Sequence, residues 1–136
     1  MTRVLEVEVP GRGLHEVTDR VQAEVHASGV NDGVCTVFIQ HTSASLTVQE
    51  NADPSARRDL EAWLERSVRE DDAAWTHVAE GPDDMPAHVR SMLTDVSLSI
   101  PIGGGRLMLG TWQGIYLCEH RRSPHRRRIA VSIISE

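Results

Sequence analysis

The C-terminal segment VSLSIPIGGGRLMLGTWQGIYLCEHRRSPHRRRIAVSIIS (residues 96–135) decides the fold class of this chain. Runs rich in Val, Ile, Leu and Tyr are separated by GGG (103–105) and by RRSPH (121–125), a pattern typical of strands joined by turns. We predict a hairpin around the three glycines, a strand in TWQGIYLCEH (111–120) and a final strand in RRRIAVSIIS (126–135). No helical pattern follows the glycines, which indicates a turn and not a dinucleotide-binding loop.

Three more strands are predicted upstream of this segment. RVLEVEV (3–9) alternates apolar and acidic residues, as expected of a strand with one buried face. VCTVFIQ (34–40) and ASLTVQ (44–49) are short and rich in β-branched residues, which favours strands. The glycines at 11 and 13 end the first of these strands.

Helices are predicted between the strands. TDRVQAEVHASG (18–29) continues a stripe of valines at a spacing of four that starts at Val17. Asp53 and Pro54 have the residue types of an N-cap and a first helical position, and the helix that they open is expected to run to about Glu70. A short helix is expected over Pro86–Leu93. Strands at both ends and helices between them indicate an α+β fold: a mostly antiparallel β-sheet or sandwich with two to three helices, in a single domain over residues 1–136.

Composition excludes several classes of protein. The chain has 136 residues, and all 14 of its basic residues are Arg, so no lysine Schiff base or Walker-type lysine is available. The net charge of −6 argues against nucleic acid and membrane surfaces as partners. The acidic residues near the start do not fit a signal peptide. With only Cys35 and Cys118 and no disulfide framework, we expect a cytoplasmic protein.

Two groups of polar residues could carry chemistry in the first two thirds of the chain. QHTSAS (40–45) follows one predicted strand and could either satisfy a turn or line a pocket. Its serines beside His41 suggest a nucleophile and base, but no G-x-S-x-G turn is present, so serine catalysis is disfavoured. His77, Asp83, Asp84 and His88 are metal-ligand types, and Asp84 and His88 share a face if the short helix begins early enough. An acidic surface loop with incidental histidines is the alternative.

Two further groups lie near the C-terminus. In GTWQG (110–114) a core position is expected for Trp112, while Gln113 would point the opposite way and could orient a heterocycle. Five Arg occur between Arg121 and Arg128. Such a cluster is either a solvated face or a site for phosphate, which guanidinium groups bind well.

Three segments together resemble a known family. HTSASLTVQENADP (41–54), GPDDMPAHVRSML (81–93) and SIPIGGGRLMLGTWQGIYLCEHR (99–121) are similar to the blocks of the YjbQ-like family, also called the secondary thiamine-phosphate synthase family. The resemblance implies a small α+β fold and a homotrimer. It also implies a low-level transferase activity that joins a pyrimidine methyl pyrophosphate to a thiazole phosphate.

The resemblance, combined with side-chain chemistry, predicts a set of site residues. The catalytic candidates are His41, Ser43, His88, Gln113 and Glu119. The candidates for binding substrate or phosphate are Asn51, Arg90, Thr111, Arg121 and Arg127. The candidate metal ligands are His41, His77, His88 and Asp84, with Mg²⁺ or Zn²⁺ as the divalent metal. The expected partner is a small phosphorylated metabolite, with no nucleic acid and no membrane. The alternative is a metal- or anion-binding trimer with an unknown metabolite ligand, in which synthase activity is incidental.

Overall fold

Eight strands and three helices make up the chain in the computed structural model, which describes all 136 residues. The strands are β1 (Thr2–Val9), β2 (Gly13–Glu16), β3 (Gly33–Ile39), β4 (Ala44–Glu50), β5 (Ser97–Gly103), β6 (Arg106–Leu107), β7 (Gln113–Glu119) and β8 (His125–Ser135). The helices are α1 (Thr18–Ser28), α2 (Pro54–Ser67) and α3 (Asp84–Leu93). The predicted α+β class with antiparallel sheets is confirmed.

The strands form two antiparallel sheets. The larger has the order β1-β8-β3-β5-β6, and the smaller has the order β2-β7-β4. The C-terminal strand β8 lies inside the larger sheet, paired with β1 on one side and with β3 on the other. Strands from both ends of the sequence therefore belong to one sheet, which is why the chain forms a single domain.

The main core lies between the two sheets. Alternate residues of β8 (Ile129, Val131, Ile133) and of β7 (Ile115, Leu117) meet there, because successive side chains of a strand point to opposite faces. The valine stripe of α1 closes the same core, and Val21 and Val25 are fully buried as the spacing predicts.

Helix α2 covers the other face of the small sheet. Tyr116 and Cys118 of β7 form a second, smaller cluster with Leu14, and Leu60 and Leu64 of α2 pack against it. Asp53 is the N-cap of α2, as predicted: its side chain accepts a hydrogen bond of 2.9 Å from the Ser55 amide. The small sheet thus has an apolar side toward the main core and a mixed side toward α2.

Several sequence-based expectations about the fold were wrong. Strand β2 was not predicted, because a strand of four residues that begins with a glycine carries too little pattern to show itself. Helix α2 ends at Ser67, three residues before the predicted Glu70. Trp112 is 62% exposed and lies in the turn before β7, so it is not a core residue.

None of the three helices has both the length and the apolar character that a membrane-spanning helix requires.

Candidate metal centre

Helix α3 brings two ligand-type side chains onto one face. It begins at Asp84, two residues before the predicted start at Pro86. An acidic residue is favoured in a first turn because the helix dipole presents positive charge there. Asp84 and His88 are therefore one turn apart, and His88 Nε2 lies 3.0 Å from Asp84 Oδ2. The sequence-based condition for a shared face is met.

His77 joins the same carboxylate from the irregular segment before α3. Its Nε2 lies 2.8 Å from Oδ2 of Asp84, and the centroids of the His77 and His88 rings are 5.5 Å apart. One ligand atom from each of the three residues lies within 4.8 Å of the other two. The Asp84 side chain is only 4% exposed whereas that of His77 is 46% exposed, so the cluster opens to solvent on the His77 side.

The hydrogen bonding of His88 fixes the direction of its ring nitrogens. Its Nδ1 lies 2.8 Å from the backbone carbonyl of Thr42. A carbonyl oxygen only accepts, so Nδ1 must carry the hydrogen and donate it. In the neutral ring Nε2 then has a lone pair, which is aimed at the Asp84 carboxylate. That arrangement is favourable only if a cation, either a proton on Nε2 or a metal ion, lies between the two groups.

Arg121 fixes the other oxygen of the central carboxylate. Its Nη1 donates to Asp84 Oδ1 at 2.7 Å, and its Nε donates to Asp83 Oδ2 at 3.1 Å. Burial alone would raise the pKa of Asp84, but the hydrogen bond from His77 and the charge of Arg121 lower that pKa overall. The same hydrogen bond raises the pKa of His77. Asp84 is therefore held as a carboxylate, with Oδ2 left for the two histidines.

A buried ion pair holds the segments that carry these groups. Arg127 donates to Glu119 through Nε at 2.7 Å and through Nη2 at 2.5 Å, and the two side chains are 5% and 0% exposed. Glu119 also accepts from the Arg121 amide at 3.0 Å, while Arg127 donates to Ser43 Oγ at 3.0 Å. The Ser43 hydroxyl has no histidine ring as a hydrogen-bond partner, so a catalytic role as nucleophile has no support. Glu119, Arg127 and Ser43 instead position Arg121 and the loop that holds His88.

A second buried polar group lies beside this ion pair, on the α2 side of β7. His120 Nε2 is 2.8 Å from Ser45 Oγ, and Ser45 Oγ is 2.5 Å from Thr94 Oγ1. Burial, supported by the charge of Arg90, lowers the pKa of His120 to about 3, so its ring is neutral. Thr94 was missed in the sequence, and Ser45 was considered only as a serine near His41 and not as the partner of His120. The alternation along β4 and β7 places Ser45 opposite Cys118 and on the face that His120 shares, and this was the available signal.

His41 is not a member of the metal cluster, contrary to prediction. Its Nε2 accepts a hydrogen bond of 2.7 Å from the backbone amide of Arg128, so the lone pair needed for a metal is already engaged. Burial, together with the charge of Arg127, lowers the pKa of His41, which keeps the ring in the neutral state that can accept. In this structure His41 ties the loop before β4 to β8.

The GTWQG block lies at the other end of the small sheet from the metal cluster. The pairing of β4 with β7 puts Ala44 opposite Glu119 at one end and Glu50 opposite Gln113 at the other, roughly 20 Å along the strands. The Gln113 side chain accepts from the Gly110 amide at 2.7 Å and closes its own turn, and Thr111 is exposed in that turn. The single site predicted from the family blocks is therefore divided between two places in one chain.

Asn51 and Arg90, both predicted to bind substrate or phosphate, also lie apart from the metal cluster. Asn51 Nδ2 donates to Glu16 Oε2 at 3.0 Å, close to the GTWQG turn. Arg90 is on α3 but turns toward the segment after α2, where its Nη2 donates to the Val68 carbonyl at 2.7 Å. Neither side chain contacts the three ligand-type residues through a hydrogen bond.

Fold and cluster together define a small α+β protein with two antiparallel sheets and a group of two histidines and one carboxylate. The chain belongs to the UPF0047 protein YjbQ-like family, whose model matches residues 3–136. It is 50% identical to a UPF0047 protein of Synechocystis sp., over 98% of this chain and 90% of the relative. It is 42% identical to the UPF0047 protein YjbQ of Escherichia coli O157:H7, over 98% and 97% of the two chains. A conserved hypothetical protein from Thermus thermophilus has the same fold, with 34% identity, a TM-score of 0.88, and coverage of 97% of this chain and 99% of that chain.

These findings contradict the predicted thiamine-phosphate synthase-type transferase. The matched family and relatives carry UPF0047 names without an activity, and the solved structure is described as that of a conserved hypothetical protein. The prediction rested on a name attached to the family and not on a substrate site read from the residues. The residues predicted for it also fail to converge, since Gln113, Thr111 and Asn51 lie at the far end of the strand pair from His88. The transferase prediction was therefore wrong.

Proposed function

We propose that this protein binds a divalent transition-metal ion through Nε2 of His77, Nε2 of His88 and Oδ2 of Asp84. The observation that carries the proposal is the contact between His88 Nδ1 and the Thr42 carbonyl, which turns the Nε2 lone pair toward Asp84. A hydrogen bond from the second ring nitrogen to a carbonyl is the usual way that proteins orient a metal-binding histidine. Arg121 provides the matching hydrogen bond to the free oxygen of the ligating carboxylate.

The donor set favours zinc or a similar ion over magnesium. Two imidazoles suit Zn²⁺, Fe²⁺, Ni²⁺ or Cu²⁺, whereas Mg²⁺ prefers oxygen ligands and keeps several waters. Of the two metals predicted from the sequence, the geometry therefore supports Zn²⁺. Three protein ligands leave one position of a tetrahedral zinc ion open, as in zinc sites that act on a bound molecule.

The open position supports binding of an anionic metabolite. A divalent ion with one carboxylate ligand keeps a net positive charge, and the half-exposed His77 leaves that side accessible. The phosphate or carboxylate group of a small metabolite fits this charge. The predicted small phosphorylated metabolite thus remains our proposal for the partner, bound through the metal and without the transferase chemistry.

The decisive experiment measures metal content and affinity. We expect purified protein to contain about one transition-metal ion per chain, and the chelator-treated protein to take up Zn²⁺ in calorimetry. His88→Ala should lose this binding by at least about 100-fold, because one of three protein ligands is removed. His26→Ala is the matched control, since His26 is exposed on α1 and has no hydrogen-bond partner through its ring. Equal Zn²⁺ affinity in His88→Ala and wild type would contradict the proposal.

The predicted homotrimer and cytoplasmic location belong to the same proposal. The outer face of the larger sheet is not covered by a helix and exposes Val4, Phe38 and Ile134 by 43%, 45% and 65%, which supports association through that face. Two free, buried cysteines and no disulfide support a reducing compartment. Light scattering on the eluting protein should give three times the mass of one chain. A monomer at micromolar concentration would contradict the trimer.

A further inference from the structure

A cavity of about 380 Å³ lies outside the metal centre, between β2, α2, α3 and the end of β7. Leu14 and Leu64 form its apolar wall, and its polar wall consists of Arg12, Arg90, His120 and the carboxylates of Glu61, Glu65 and Glu119. A cavity of this volume is within the range that holds small metabolites. Polar groups on one side and leucines on the other would accept a ligand with a charged head and an apolar part.

Arg90 is buried at this cavity without a charged partner. It is 1% exposed, and one of its five N–H groups is satisfied, by the Val68 carbonyl at 2.7 Å. Its Nε and Nη1 have no hydrogen-bond partner, and it forms no salt bridge. A guanidinium group stays charged in proteins, so this is a buried cation with free donors. Such a group costs free energy unless something compensates it.

The acidic groups nearby are held by other partners. Glu70 accepts from Arg12 at 2.6 Å and is also paired with Arg122. Glu61 Oε2 accepts from the Leu14 amide at 2.9 Å. These carboxylates are engaged by other donors and none of them forms a hydrogen bond or an ion pair with Arg90, which lines the cavity.

His120 adds no negative charge to balance Arg90. Its ring is neutral, and its Nε2 is taken by Ser45, which leaves Nδ1 without a protein partner. Arg12 brings a further unsatisfied donor, because its Nε is buried and has no hydrogen-bond partner. The cavity therefore has two arginine groups with free N–H donors. Of the carboxylates on its wall, Glu119 is paired with Arg127, Glu61 accepts from the Leu14 amide, and the mostly exposed Glu65 lies 3.8 Å from Arg12, so none of them forms an ion pair with Arg90.

We infer that this cavity binds a small oxyanion, the carboxylate or phosphate group of a metabolite, on the free donors of Arg90 and Arg12. Charge-assisted hydrogen bonds from guanidinium to such groups are among the strongest that proteins make. The site is distinct from the metal centre because Arg90 turns from α3 toward Val68, whereas His88 turns toward Thr42. It does not depend on the proposed metal.

The test uses chelator-treated protein, so that an anion cannot bind through a metal. Inorganic phosphate and acetate are titrated separately at constant ionic strength, with binding followed by calorimetry and by the melting temperature Tm. Wild type should bind at least one of the two saturably, and the difference between them identifies the head group. Arg90→Met should weaken that binding by about tenfold or more, as expected for the loss of charged hydrogen bonds. Arg106→Met should bind as wild type does, because Arg106 is exposed on β6 and has no ion pair.

Three outcomes would overturn the inference. They are no saturable binding of either anion to wild type, undiminished binding to Arg90→Met, and equal losses in Arg90→Met and Arg106→Met. Arg90→Met should fold, since it replaces a buried charge with an apolar side chain of similar length. If it does not, Leu64→Trp occludes the same cavity from α2, and unchanged affinity in that variant would equally overturn the inference. His88→Ala should keep the anion binding, which separates this result from that of the metal experiment.

Discussion

The two ends of the β4–β7 strand pair carry similar polar residues but differ in what those residues do. At the Ala44–Glu119 end, side chains from four elements meet, and an ion pair, a neutral histidine and the metal cluster are buried or half-buried together. At the Glu50–Gln113 end, Gln113 and Asp53 bond to backbone amides two or three residues away and stay exposed. The residue types alone do not distinguish the ends. What differs is whether the fold brings distant segments to them.

Of the variants considered, the largest loss in the free energy of unfolding is expected when the buried ion pair between Glu119 and Arg127 is broken. Glu119→Gln leaves Arg127 charged and unpaired at the rim of the core, so we expect a loss of about 3–5 kcal/mol in the free energy of unfolding. Urea unfolding at neutral pH measures it. Glu8→Gln is the control: Glu8 pairs with Arg126 but is 77% exposed, and such pairs contribute about 1 kcal/mol or less. Similar losses of stability in the two variants would contradict the expectation that the buried ion pair contributes more to stability than the exposed one.

The next effect concerns His120 and pH. Its pKa is lowered to about 3 in the folded chain, against an ordinary value of 6.5, so the unfolded chain binds the proton more tightly. The neutral buried ring therefore stabilises the fold above pH 6.5, and this stability is lost as pH falls from there toward 3. Between pH 7 and pH 4.5 wild type should lose about 2 kcal/mol more than His120→Gln does.

Urea midpoints of both chains at the two pH values test this difference. His26→Gln should follow wild type, because His26 is exposed. The prediction fails if His120→Gln and wild type lose the same stability over that interval.

A smaller effect is expected at the opposite end of the strands, at the cap of α2. Asp53→Ala removes the acceptor for the Ser55 amide and should cost about 1 kcal/mol. Thermal unfolding can detect this loss. Asp59→Ala, on the exposed side of the same helix, should change stability much less, and an equal loss there would mean that charge and not capping matters.

The smallest effect is expected at the GTWQG turn. Gln113→Ala removes an exposed hydrogen bond to the Gly110 amide and should cost about 0.5–1 kcal/mol, with no change in Zn²⁺ affinity. Urea unfolding checks the loss of stability, and calorimetry with Zn²⁺ on the folded variant checks the metal affinity. A loss of metal affinity would show that the two ends are coupled, in contrast to their separation along the strands.

The sequence predicted the parts of this structure that depend on local pattern. The valine stripe of α1, the Asp53–Pro54 start of α2, and the strand in 126–135 all follow from periodicity or capping within a short window. Strand β2 is too short to show a period, and Trp112 is apolar but belongs to an exposed turn. These errors share one cause, since neither segment is long enough for its pattern of apolar and polar residues to show its secondary structure or its buried face.

The metal cluster was partly predictable and its surroundings were not. His77, Asp84 and His88 lie within twelve positions, so the sequence alone suggested them, and an early start of α3 was the only condition. His41 was added from its family block, but its ring accepts from Arg128, a residue 87 positions away. The pairing of Ser45 with His120 spans 75 positions. Contacts of that kind depend on the strand register, which one sequence does not reveal.

The position of β8 has a consequence for synthesis of the chain on the ribosome. Because β8 pairs with both β1 and β3, a chain that has reached only residue 120 leaves those two strands without their shared neighbour. Arg127, the partner of Glu119, is also still to be added at that stage. The larger sheet is therefore completed only once β8 has been synthesised, so the edges of β1 and β3 stay unpaired and open to aggregation until then. Stalled or truncated chains should depend on chaperones far more than the finished protein does.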